Sequence, residues 1–256
     1  MRPLLLVLVL AAMPAFAATQ LPAAVRYVDC LHGDDSNDGL AWASASRSIT
    51  GTLGTLPACV WSYGPPCLEV LKINVAGECD EPFGVSFPPG ASTIVRGTGF
   101  ATINDTFLRF EGNYRCIVEG ISAPGLRVEA LAGSLEVRSS ELYGVNAVNA
   151  DLLVENSVVL DFGISYTNPN RRAGSLIVRD SIVERIGVSY GTPPPPEADD
   201  KRGLGVVRLE GNTVATTVVL YAYEGSRMTA LLQNNLLLGF PPVSTFGKVS
   251  VGGNQR

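Results

Sequence analysis

The side chains suited to chemistry are few, and the first group sits near the N-terminus. Residues 33–39 read GDDSNDG, with Asp34, Ser36 and Asp38 at alternate positions and Gly39 behind them. This is the first half of an EF-hand calcium loop, in which spaced oxygen ligands precede a turning glycine. The second half is missing: position twelve, a bidentate acid in such loops, falls on Ala45 when counted from Asp34. Two readings stay open. One is a turn in which Asp and Asn side chains bond backbone amides. The other is a calcium ion at Asp34, Ser36 and Asp38. No cofactor is expected, and calcium is the one alternative this pattern allows. His32, the single histidine, lies in the same turn, where solvation is its ordinary fate.

A second group lies further along. Asp161 and Arg185 precede the similar stretches FGISY (162–166) and IGVSY (186–190). After each stretch comes a long connection, TNPNRRAG (167–174) and the proline-rich GTPPPPEADDKRG (191–203). These carry Arg171, Arg172, Asp199, Asp200, Lys201 and Arg202. Asp161, Asp199, Asp200 and Lys201 are the candidates for acid–base work. Tyr166, Tyr190 and Tyr221, with Arg171, Arg172 and Arg185, are the candidates for binding a sugar, because aromatic faces suit such stacking. The opposing reading makes the tyrosines core, since they share parity with Ile164, Val188 and Val219, and makes the charges solvated loop residues.

An internal repeat says what must position these groups. Five segments align: LEVRSSEL (135–142), LLVENSVV (152–159), LIVRDSIV (176–183), VRLEGNTV (207–214) and ALLQNNLL (230–237). Their register holds over spacings of 17, 24, 31 and 23 residues. Constant register with variable spacing means stacked strands joined by loops of different length. Positions zero and two (Leu135 and Val137 in the first segment) share one strand face, and so do positions five and seven (Ser140 and Leu142). All four are apolar or small, so all face inward only if the chain bends between them. Position four is Ser139, Asn156, Asp180, Gly211 or Asn234, residues that tolerate a left-handed corner. Position three reads Arg138, Glu155, Arg179, Glu210 and Gln233, whose charges alternate when stacked. Position five predicts an inward ladder of Ser and Asn. Two strands and a corner, repeated every turn, describe a parallel β-helix. A third strand is expected in FGISY and IGVSY, 24 residues apart, with Tyr221 in the same register and a tyrosine stack as the result.

The segment RYVDCLHGDDSNDGLAWASASRSITGTL (26–53) resembles the opening of secreted bacterial right-handed parallel β-helix proteins, the pectate-lyase-like superfamily. In that pattern Y-V, a turn ending N-D-G and a Trp precede a short helix that caps the open end. INVAGECDEPFGVSFPPGASTIVRGTG (73–99) resembles the first coils. The resemblance implies an all-β, right-handed parallel β-helix of about seven or eight coils with a short N-terminal capping helix. Ile49, Leu53 and Leu56 should form that helix's buried face, closing an end that would otherwise expose strand edges. It also implies that enzymes of this shape cleave acidic polysaccharides: lyases through a basic residue with Arg or calcium, hydrolases through clustered carboxylates. The three lysines after residue 17, Lys72, Lys201 and Lys248, sit in no recognisable lyase motif, and the hydrolase signatures Asn-Thr-Asp, Gly-His-Gly and Arg-x-Lys are absent.

Residues 1–17, MRPLLLVLVLAAMPAFA, read as a signal peptide with a charged start, an apolar run and a small-x-small cleavage site. The run is too short to span a bilayer, and no other is long enough. The chain is therefore expected to be secreted or periplasmic. Residues 18–60 are expected to form the N-terminal turn and capping helix, and 61–256 the β-helix. Without the signal peptide the formal charge moves from −5 to −6, which argues against nucleic acid or anionic membrane as partners. Cys59 and Cys67, flanking a short proline loop, are the favoured disulfide. Cys30 with Cys79 is a second pairing, and the odd count leaves one thiol over. Three functions follow. The first is a non-catalytic protein that binds polysaccharide or a cell-surface glycan, or serves as a surface component. The second is a lyase or glycosidase working beside the long loops. The third is an adhesin-like interaction module.

Overall fold

One corner residue per coil sets the path of the chain. Ser139, Asn156, Asp180, Gly211 and Asn234 all adopt positive φ, between 48° and 66°. That conformation is cheap for Gly and tolerable for Asn and Asp, as position four of the repeat predicts. The structure is a computed structural model and describes residues 23–61, 67–81, 84–89, 91–104, 107–112, 114–168, 174–191, 204–223 and 226–253. The expected signal peptide, Arg171, Arg172, Asp199, Asp200, Lys201 and most of both long connections lie outside these residues.

Around these corners the chain builds an all-β parallel β-helix. The first sheet has ten parallel strands: Ala23–Asp29, Val70–Asp80, Ser92–Asn104, Arg115–Glu119, Gly133–Arg138, Ala150–Glu155, Gly174–Arg179, Leu204–Glu210, Arg227–Gln233 and Val249–Gly252. The other strands form a branched sheet that makes the second and third faces. Ten strands make nine steps: the first, from Ala23–Asp29 to Val70–Asp80, runs through the capping helix, and the eight from Val70–Asp80 to Val249–Gly252 match the upper end of the expected seven or eight coils. The first sheet starts earlier than expected, because Ala23–Asp29 pairs with Val70–Asp80 and so precedes the capping helix rather than belonging to a separate cap.

The aligned segments pair residue for residue, Leu135 with Leu152, Leu152 with Leu176, Leu176 with Val207 and Val207 with Ala230. All five are buried. Below them runs the predicted polar ladder. Backbone N–H groups of Ser140, Ser157, Ser181 and Asn212 donate to the side-chain oxygens of Ser157, Ser181, Asn212 and Asn235, at 3.3, 3.1, 3.1 and 3.0 Å. Each rung satisfies a buried backbone donor that the left-handed corner leaves without a sheet partner. Outside the corner the alternating charges stack as Arg96, Glu119, Arg138, Glu155, Arg179 and Glu210. Two of these contacts are direct ion pairs, Arg96–Glu119 at 2.7 Å and Arg179–Glu155 at 2.6 Å.

The capping helix runs Ile49–Gly54, with Ser48 as N-cap accepting from the Gly51 N–H at 2.8 Å. Ile49, Leu53 and Leu56 are buried, as the spacing predicts. The buried Glu81 carboxylate accepts from the Ile49 and Thr50 N–H groups, so the first coil holds the helix start. Disulfides join Cys30 to Cys79 and Cys59 to Cys67, leaving Cys116 as a buried thiol.

The third strand departs from expectation. The second strands keep the 24-residue offset, Val159 with Val183, but the third strands pair Ile164 with Ile186, an offset of 22. Two extra residues are taken up at the corner of Val158–Asn168, where Asp161 and Gly163 have φ of 45° and 71°. The tyrosines therefore form no column. Tyr166 pairs with Val188, Tyr190 with Asn168 and Ala222, and Tyr221 with Ser189.

Candidate functional site: the outer face of the third strands

Parity now assigns each sequence candidate to a side. Tyr166 and Tyr190 point inward and are 2% and 0% exposed, filling the core as the opposing reading had it. Burial raises the hydroxyl pKa of both, that of Tyr190 to about 12. Tyr221, one residue out of step, points outward and is 37% exposed. Asp161 and Arg185 do not meet as equivalents. Asp161 is exposed at the widened corner, and the Arg185 Nε donates to the Phe162 carbonyl at 2.9 Å.

The N-terminal turn uses its acids internally. Asp34 Oδ1 accepts from the Ser36 N–H at 2.8 Å, and Asp38 Oδ1 accepts from the Leu40 N–H and the Ser44 hydroxyl at 2.9 and 2.7 Å. These bonds hold both carboxyls below the ordinary value: for Asp34 the Ser36 amide is the main cause, for Asp38 the Leu40 amide. Ser36 supplies its amide to Asp34. Among the described residues no three Asp, Glu, His or Cys side chains gather to hold a metal.

Several depressions mark the surface. One of about 480 Å³ lies under the capping helix, lined by Asp35, Arg47, Glu78 and Asp80 among others. Its carboxylates are occupied: Asp35 accepts from the Arg47 and Ser48 amides, and Asn104 donates to both Glu78 and Asp80. Another, of about 410 Å³, lies on the first sheet and has only aliphatic and small side chains beside Arg208.

The third face is different. Its outward positions are small in the middle coils, Ser165, Gly187 and Ser189, and aromatic in the later ones. There Tyr221, Tyr223 and Phe246 wall a groove of about 420 Å³. Tyr221 meets Tyr223 edge-on at 4.4 Å and Phe246 at 5.9 Å, and Phe246 is 51% exposed. A neighbouring hollow of about 260 Å³ shares Ser165, Gly187 and Val219 and extends the groove to Phe162 and Arg185. Phe162 stacks on Tyr143 at 6.3 Å, and the guanidiniums of Arg127 and Arg185 lie 5.4 and 5.7 Å from its ring centre. The ring is outside because the two added corner residues turn it out.

Of the sequence candidates, the groove brings together Tyr221, Arg185 and the outer backbone edge of Tyr166. Phe162, Tyr143, Tyr223 and Phe246 were missed. For Tyr221 a signal existed: VVLYA (218–222) matches IGVSY (186–190) position by position, which sets Tyr221 against Ser189. No carboxylate pair lines the groove among the described residues, and no helix among them is long and apolar enough to cross a membrane. No family model matches the chain, and no curated protein or solved structure matches it either.

Proposed function

We propose that this chain is an exported β-helix protein that binds polysaccharide on the outer face of its third strands, without cleaving it. The observation that carries this reading is the open aromatic groove of Tyr221, Tyr223 and Phe246 beside a floor of Gly187, Ser165 and Ser189. Sugar rings bind proteins by laying apolar C–H faces on aromatic rings while their hydroxyls bond small polar side chains. The groove offers both. Kinship with the pectate-lyase-like β-helix proteins is part of the proposal, supported by the parallel coils and the capping helix. Export is supported by the N-terminal segment and by two disulfides, which persist in oxidising compartments.

Affinity electrophoresis of the mature protein through gels carrying single polysaccharides tests the reading. At least one polymer should retard the protein, and Tyr221→Ala should weaken that retardation about tenfold, or ~1.4 kcal/mol. Size-exclusion of the same polymer after incubation should show intact chains. Shortened chains would replace binding by catalysis, and equal mobility in every gel would remove the proposal.

A further inference from the structure

We infer that the groove takes a neutral glycan, laid along the helix axis; this rests on the proposed polysaccharide reading and names the class of sugar. The first reason is the lining. Among the described residues none of the side chains around the Tyr221 groove is charged, and hydroxyl, glycine, aliphatic and aromatic groups make up its wall and floor. The second is the state of the nearest cation. Arg185 closes one end of the groove, but its guanidinium lies over Phe162 and its Nε is bonded to the Phe162 carbonyl. The third is the whole charge, −5 for the full chain, which repels a polyanion at distance.

The direction follows from the register. Outward rungs run Ser165–Gly187–Val219–Ser244 and Thr167–Ser189–Tyr221–Phe246. Each step is one coil, about 4.8 Å, close to the rise of one pyranose in an extended glycan. Four coils give a track of about 14 Å on that spacing. Ser165 and Ser189 hydroxyls make no hydrogen bond to another described residue, so they are available to sugar hydroxyls. Gly187 keeps the floor low. A Cβ built there comes no closer than 3.9 Å to any neighbouring atom, the Ile164 carbonyl oxygen, and its φ is not left-handed. A side chain at 187 would therefore enter the groove without disturbing the coil.

Titration calorimetry of the mature protein tests this with oligosaccharides of neutral glucan and mannan and of acidic galacturonan and alginate, each at low and high salt. At least one neutral oligosaccharide should bind, with affinity changing less than about twofold between salts. Gly187→Val, which suits a strand, should lower that affinity by about tenfold or more with the melting temperature kept. Binding of acidic oligosaccharides alone, weakened by salt and by Arg185→Gln, would overturn the neutral class and leave the polysaccharide reading standing. Silence from the whole panel would overturn both. Should Gly187→Val fold poorly, Tyr221→Ala at the exposed wall takes its place, and unchanged affinity there would place the sugar elsewhere and overturn the inference.

Discussion

At the scale of single residues, burial decides which reactive groups can react. Cys116 is 7% exposed, and burial pushes its thiol up to about 12, so the nucleophilic thiolate is absent near neutral pH. Iodoacetamide at pH 8 should leave the native protein unlabelled, and one thiol per chain should react after unfolding without reductant. Native labelling at the unfolded rate would show that this coil opens. Asn212 is the other informative residue. Its Nδ2 donates to the Val178 carbonyl at 2.8 Å and its Oδ1 accepts from the Ser181 N–H at 3.1 Å, all in the interior. Asn212→Ala strands both backbone groups, at about 1–3 kcal/mol for each buried group left unpaired. Urea unfolding should register a loss in that range or above it. A change within a few tenths would mean that water replaces the rung.

Elements explain why part of this was legible in the sequence and part was not. The corner between first and second strands has a fixed length in the aligned coils. Parity across it therefore reported the bend, the Ser/Asn ladder and the Arg/Glu stack correctly from residues 135–237 alone. The next corner varies. Between Val159 and Gly163 the chain uses two more residues than between Leu142 and Gly144. Spacing carried across such a corner gives the wrong partner, which is how Tyr166, Tyr190 and Tyr221 came to be expected in one column. Asp161 and Gly163 mark that corner only through their φ values, so Phe162's exit to the surface had no strong sequence signal. The cap was readable because its buried face is local, with Ile49, Leu53 and Leu56 at helical spacing. Glu81 was not, since it comes from the first coil, 32 residues beyond Ile49. Ser48→Ala should cost about 1 kcal/mol, seen as a lower melting temperature. Glu81→Gln should cost more, because the helix start loses its buried negative partner.

For the whole molecule, the paired charges of the first sheet and the aromatic cluster of the third face stand on different faces. The first sheet carries the ion pairs Arg96–Glu119 and Arg179–Glu155, and the third face gathers the rings of Tyr221, Tyr223 and Phe246. Acid should loosen the N-terminal turn. Asp34 and Asp38 have lowered values in the fold, so their stabilisation is complete above the unfolded value of 3.8 and is lost as pH falls through the depressed ones. Melting temperature should therefore drop below about pH 4, and Asp38→Asn should shallow that drop. The proposed glycan site is the groove of the third face, and backbone amide NMR of the labelled protein checks that location. Adding the glycan that binds best should shift the amides of Ser165, Gly187, Ser189, Val219 and Tyr221 while those of the first sheet stay in place. Shifts centred on the Arg–Glu face, or on the turn at Asp34–Asp38, would contradict it.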